Sequence, residues 1–220
     1  MLIDTTQFKA NHLAEDAVLP AEKTALIIVD MMRRFCDPAW LSGGNAESER
    51  WFTSELQSVI PNLRAILDAF RSSGGLVVHV VNAKWTKEAR EAVPYQRGRD
   101  YDYFDSHAMS VIDELAPQRD EIIVRKLTSS AFTGTGLDYM LNNAGIRNVV
   151  LTGQYGGACV FYSLIQSREY GFTNYWPTDA ILHASAVDKA MITPLVGTRW
   201  ATLATSAQIA RSITGQRALA

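Results

Sequence analysis

Cysteine is scarce in this chain: Cys36 and Cys159 are the only two among 220 residues. Two thiols cannot build a disulfide framework, and their spacing fits neither a zinc motif nor a CxxC pair, so reduced thiols in a cytoplasmic setting are expected. An excess of one charge is also lacking. With 21 Lys and Arg against 23 Asp and Glu, the net charge of -2 gives no electrostatic reason to expect nucleic acid or an anionic membrane as partner. The first residues carry no cationic stretch followed by an apolar run, and no segment reaches the roughly 20 apolar residues that span a bilayer. Internal repeats, low-complexity tracts and linkers rich in Pro, Gly or Ser are absent too. One domain over residues 1–220, working on a small-molecule substrate, is the expectation.

What is present is apolar and regularly punctuated. Residues 24–30 and 76–82 are β-branched and nearly continuously apolar, as strands buried on both faces of a parallel sheet tend to be; 121–125 and 148–152 repeat the pattern. Between the first two runs, Leu56, Val59, Ile60, Leu63, Ile66, Leu67 and Phe70 recur at helical spacing up to Gly74 and Gly75, with Pro61 as a kink or a starting point. Further helices are expected over 108–115, over 137–143 with Gly145 at the end, from Cys159 to about Tyr170, near 187–195 and from Ser206. Strands are expected over 173–176 and near 200–203. Such alternation predicts βαβ units and an α/β fold with helices on both faces of a parallel sheet. The long stretch 83–105, rich in Arg and aromatic residues and without periodicity, reads as a lid, a pocket wall or a subunit contact.

Three reactive side chains sit at or just past the ends of apolar runs: Asp30, Lys126 and Cys159. If the runs are parallel strands, their carboxyl ends share the edge where open α/β sheets bind ligands. Taken singly, each has an ordinary explanation. A carboxylate there can cap a turn, a lysine is usually solvated, and a lone cysteine is commonly a small buried hydrophobe. Placed together, Asp30 can take the thiol proton, while Lys126 and a helix N-terminus favour a Cys159 thiolate near neutral pH.

The segments from Thr24 to Cys36, from Arg125 to Asp138 and from Leu151 to Val160 resemble, in order and spacing, three signature blocks of the isochorismatase-like hydrolases. The resemblance covers roughly residues 22–212, leaving 1–21 as an N-terminal extension. It implies a three-layer α/β/α, doubly wound and mostly parallel sheet, and an Asp, Lys, Cys triad as in the cysteine-hydrolase branch. By motif position Asp30 becomes the general base, Lys126 the stabilising cation and Cys159 the nucleophile. A cis peptide is implied between Gln154 and Tyr155, with the backbone N–H groups of Tyr155 and Cys159 as an oxyanion hole. Dimers or tetramers are common among such relatives.

The implied activity is hydrolysis of the C–N bond of a small amide, carbamoyl or ureido compound through a thioester. Two alternatives stand beside it. Tyr155 in a Gly-Xaa-Tyr turn is reminiscent of true isochorismatases, in which the aspartate acts as acid on a vinyl ether; a silent, ligand-binding relative is the other. Nicotinamidase-type relatives hold a metal through an Asp-Xaa-His pair after the second strand. Here that place reads Val-Asn-Ala-Lys-Trp, so no metal or other cofactor is expected, and His79 reads as a core histidine. Phe35, Asn82, Trp85, Arg97, Phe132 and Tyr155 are expected to line the substrate pocket. Arg33, Arg34, Arg97 or Arg99 would suit a substrate carboxylate.

Overall fold

A single parallel sheet organises the chain, and its strand order fixes where chemistry can occur. The computed structural model describes residues 9–37, 46–97 and 106–215. Seven strands are found among them: β1 (Thr24–Val29), β2 (Leu76–Asn82), β3 (Ile122–Lys126), β4 (Asn148–Gln154), β5 (Thr173–Pro177), β6 (Ile181–Leu182) and β7 (Thr202–Ala204). The order is β3-β2-β1-β4-β5-β7, with β6 lying beside β4, and each of these pairings is parallel. The chain winds outward from β1 in one direction and returns to β4 on its other side. β1 and β4 therefore flank the switch point, whose carboxyl end opens a crevice.

The helices are α1 (Arg33–Cys36), α2 (Ala46–Ser73), α3 (Pro94–Arg97), α4 (Leu137–Asn143), α5 (Cys159–Glu169), α6 (Ala186–Arg199) and α7 (Ser206–Thr214). β1 shows how two cores arise from one strand. Leu26 and Ile28 enter the core formed with α2 and α7, whereas Ala25, Ile27 and Val29 enter the core formed with α4, α5 and α6. Side chains alternate across a strand, so a strand buried on both faces is apolar throughout. The helical stripe of α2 buries Phe52, Leu56, Val59, Leu63, Ile66, Leu67 and Phe70, each fully buried side chain contributing roughly 1.5–3 kcal/mol. Beneath the sheet, Arg71 grips Glu121 with two bonds of 2.7 and 3.0 Å, and His79 Nε2 lies 2.9 Å from the same carboxylate. Burial alone would push Glu121 up, but Arg71, the Gln118 N–H and His79 hold it down at about 2.

Several local expectations give way to tertiary bonding. Residues 108–115 form no continuous helix but two single 3-10 turns, His107–Met109 and Asp113–Leu115. The segment between them bonds to the chain leaving β1: Val111 bridges Met32, Ile112 N–H donates to Met31 O, and Arg33 N–H donates to Ser110 O. α2 starts at Ala46, so Pro61 lies within it. The two-residue β6 carries too little periodicity to be read from sequence. The N-terminal extension is docked from Asn11 onward, where Leu13 N–H donates to Leu203 O and Leu203 N–H to Asn11 O, both at 2.8 Å. Of the stretch 83–105, residues 98–105, including Arg99, lie outside the described residues.

Gly153 lets β4 approach β1 at the switch point. Its φ is +99°, and a Cβ there would stand 2.1 Å from Val29 O and 2.6 Å from Val29 N. Neither backbone can move without parting the two central strands. Gly153→Ala is expected to cost about 2–6 kcal/mol, combining left-handed strain with overpacking. Urea denaturation of the purified variant measures it, and a loss under 1 kcal/mol, an ordinary surface-substitution effect, would contradict this view of the strand contact.

Candidate active site

The carboxyl ends of four strands meet over the switch point. Asp30 directly follows β1, Asn82 ends β2, Lys126 ends β3, and Gln154 ends β4. Asp30 has φ of +56°, a conformation aspartate tolerates better than most residues. Its N–H donates to Val80 O at 2.9 Å, while its O accepts from Met32 N–H at 2.9 Å and from Gln154 Nε2 at 2.7 Å. Those bonds fix the chain as it turns off the strand. β3 is not adjacent to β1, because β2 intervenes. The long lysine stem spans that gap, and Lys126 is buried with it.

The Lys126 ammonium donates to Asp30 Oδ2 at 2.8 Å, to Thr128 O at 3.0 Å and to Cys159 Sγ at 3.4 Å. An ammonium has three N–H groups, and three acceptors take them all. Asp30 and Lys126 are 2% and 1% exposed, so their charges are desolvated and depend on each other. Burial raises the Asp30 carboxyl above its ordinary value, against the pull of Lys126. Burial works to lower Lys126, yet Asp30 and Cys159 outweigh it and hold the ammonium protonated.

The thiol departs from the expectation of a thiolate. Burial, and after it the Asp30 carboxylate, push Cys159 up to about 12 in spite of Lys126. A lysine whose charge is already committed to a carboxylate has little left for a second anion. Burial and the carboxylate thus favour the thiol form of Cys159 beside Asp30.

The turn carrying Cys159 is built from the backbone. The Gln154–Tyr155 peptide is cis, Gly156 N–H donates to Leu182 O at 2.8 Å, and Ala158 N–H donates to Tyr155 O at 2.9 Å. Cys159 is the first residue of α5, where an N–H has no acceptor within the helix. Outside the turn, the His183 ring occupies the space a Gly156 Cβ would take, at 2.2 Å, and Asp188 Oδ1 that of a Gly157 Cβ, at 2.0 Å. His183 Nδ1 lies 3.0 Å from Asp188 Oδ2, so an imidazole–carboxylate couple buttresses the turn. Sequence reasoning found no role for either residue; the adjacent glycines were the available signal.

A cavity of about 160 Å3 opens on Asp30 and Cys159 and is lined further by Phe35, Asn82, Gln154 and Tyr155. It also brings in Tyr95, Gln96 and Ser129, which sequence reasoning did not select. Three expected pocket residues lie elsewhere. Trp85 is 60% exposed and stacks under the Arg125 guanidinium, 3.8 Å from the ring centre, because Glu91 pins the Trp85 and Thr86 N–H groups and turns the chain outward. Arg97 spends its guanidinium on Ala92 O and Arg90 O, closing its own turn. Phe132 is buried against Phe172, because the loop after β3 folds inward and bonds Ser163. Arg33 is paired with Asp113. Among the described residues, no group of three or more His, Cys, Asp or Glu is placed to hold a metal, and no helix is long and apolar enough to cross a membrane.

Fold and site together define a class: a doubly wound α/β hydrolase with a thiol, an ammonium and a carboxylate at its switch point. The chain belongs to the isochorismatase family, the model of the Isochorismatase domain matching residues 24–208. It is similar to the ureidoacrylate amidohydrolase RutB of Agrobacterium fabrum, with 28% identity over 77% of this chain and 80% of that one. A cysteine hydrolase from Pseudomonas syringae has the same fold, with TM-score 0.77 and 20% identity over 93% of this chain and 97% of the other. N-carbamoylsarcosine amidase from Thermoplasma acidophilum matches with TM-score 0.65 and 28% identity, over 84% and 96% respectively.

Removing the cation should expose its role. Lys126→Met leaves Asp30 buried and unpaired, at an expected cost of about 3–5 kcal/mol near neutral pH. The sign follows from protonation: with its folded value raised further above the unfolded one, Asp30 supports folding only while protonated. The variant should thus be most stable in acid and lose stability as pH rises through the folded Asp30 value. Urea midpoints at pH 5 and pH 8 test this, and Lys126→Met with Asp30→Asn should recover much of the loss at the higher pH.

Proposed function

We propose that this protein is a cysteine amidohydrolase that cleaves the C–N bond of a small amide, carbamoyl or ureido compound. The observation carrying the reading is the Lys126 ammonium set between the Asp30 carboxylate and the Cys159 sulfur, at 2.8 and 3.4 Å. The amidohydrolase and amidase among its relatives support the choice of bond.

The steps follow from the resting charges. As substrate displaces water from the cavity, Asp30 takes the Cys159 proton while sulfur bonds to the carbonyl carbon. Proton transfer concerted with attack avoids a free thiolate, which the buried site disfavours. The carbonyl oxygen becomes an oxyanion, held by the N–H groups of Cys159 and Tyr155. Protonated Asp30 gives its proton to the departing nitrogen, the C–N bond breaks and a thioester remains. Asp30 then deprotonates a water that attacks the thioester carbon. The C–S bond breaks, the acid product leaves, and sulfur regains a proton from Asp30. Lys126 stays charged throughout and offsets the negative charge as it moves from carboxylate to sulfur and oxygen.

The raised Asp30 carboxyl also suits a second reading, proton donation to a vinyl ether with the thiol idle. Substitution separates the two. Cys159→Ala should lower kcat at least about 10³-fold on any amide the wild type hydrolyses, given the size of nucleophile losses in acyl transfer. An alanine variant that keeps its rate, on an ether or an amide, overturns the thioester route.

The pH dependence carries a sign as well. Asp30 must be ionised to act as base, and burial raises it from an ordinary value of 3.8. The acid limb of kcat/KM should fall above that value, with activity rising as pH increases through it. A rate profile that stays flat down to pH 4 would remove Asp30 from the base role.

A further inference from the structure

Two depressions at the site share part of their walls. The cavity on Asp30 and Cys159, about 160 Å3, and a wider groove of about 550 Å3 running along α5 share Tyr95 and Ser129 in their walls. The Tyr95 hydroxyl accepts from Ser129 N–H at 3.1 Å and lies 3.2 Å from Ser129 Oγ. Ser129 adjoins Thr128, whose carbonyl holds the Lys126 ammonium at 3.0 Å. Tyr95 is carried on α3, whose Gln96 N–H bonds Val93 O at 2.9 Å. The phenol ring is 54% exposed, and its hydroxyl ties it to the loop that anchors the lysine.

We propose that Tyr95 is the residue that sets substrate length, as a wall that confines the reacting molecule to the inner cavity. What the head is rests on the amidohydrolase reading; that it must be short rests on the wall. A cavity near 150 Å3 holds a molecule the size of benzene, so the substrate is an amide or ureido head with only a few further heavy atoms. The groove beyond is lined by Thr128, Ser130, Thr133, Gln166, Phe161 and Ile165, which offer hydroxyl, carboxamide and apolar surface. Opening the wall would therefore admit a longer tail that is uncharged.

Alkylation of Cys159 tests the wall without knowledge of the substrate. The probes are iodoacetamide and its N-butyl and N-octyl homologues, each forming a sulfur–carbon bond with loss of iodide and release of the thiol proton to solvent. Rates are read by mass at the Cys159 peptide, which separates it from Cys36. In the wild type the octyl probe should react slower than iodoacetamide by about tenfold or more, the factor that about 1.4 kcal/mol of exclusion gives. Tyr95→Ala should bring the two rates together, Tyr95→Val should fall between, and Tyr95→Phe, which keeps the ring, should retain the wild-type ratio. The proposal is overturned if the ratio in folded Tyr95→Ala equals that of the wild type, or if Tyr95→Phe alone abolishes it. Absence of turnover on every amide tried would instead count against the amidohydrolase reading, and the alkylation ratio would still decide the wall.

Discussion

The buried ion pair between Asp30 and Lys126 is the constraint on which the site depends. Moving a carboxylate and an ammonium out of water carries a penalty of several kcal/mol for each, recovered only with close geometry and satisfied donors. The 2.8 Å contact and the bond to Thr128 O provide that geometry. Everything around it serves the distance. β1 is followed by a left-handed aspartate, β3 ends in a lysine long enough to cross β2, and the loop after β3 returns a carbonyl to the ammonium. Stability alone does not favour such an arrangement, since apolar residues would fill the space at lower cost. Its presence at the one place where the strand order reverses points to chemistry.

Much of this was legible from strand ends. Asp30, Lys126 and Cys159 stand out as reactive residues at or just past the ends of apolar strands, and the family resemblance tied the three together. The helical stripe of α2 and the shift to short apolar runs were equally plain. What escaped was set by contacts between distant segments. The 107–115 region has helical-looking spacing, but its bonds go to Met31, Met32 and Arg33, so it forms turns instead. Phe132 looks like a pocket aromatic by its place after β3, and only the inward fold of its loop assigns it to the core. Tyr95 sits in an aperiodic stretch where no pattern ranks one aromatic above another. Its selection comes from a hydroxyl bonded 34 residues away in sequence.

The ion pair also bears on the thiol, which burial and then the Asp30 carboxylate push up. Helix N-termini and lysines lower thiol pKa values when their charge is free to act, yet here the ammonium is matched by a carboxylate before the thiol is reached. Burial is the largest influence on the thiol, the Asp30 carboxylate adds to it, and Lys126 opposes both. Asp30, its carboxyl raised by burial, lines the same cavity as that thiol.

The proposed attack by the Cys159 thiol would require oxyanion donors that are in place beforehand. The turn from Gln154 to Cys159 is held in place through atoms it lacks. At Gly156 and Gly157 the missing Cβ positions are filled from outside by His183 and Asp188, and Asp188 is itself held at the start of α6, its N–H bonded to Ser185 Oγ at 3.1 Å. At Gly153 the missing Cβ lets β1 and β4 close up. The nucleophile turn is therefore fixed on one side by the sheet and on the other by a helix N-terminus. A rigid backbone can stabilise charge that develops only in the transition state, without reorganising when it appears. The side chains of the turn, Gln154 and Tyr155, line the cavity beside Asp30 and Cys159.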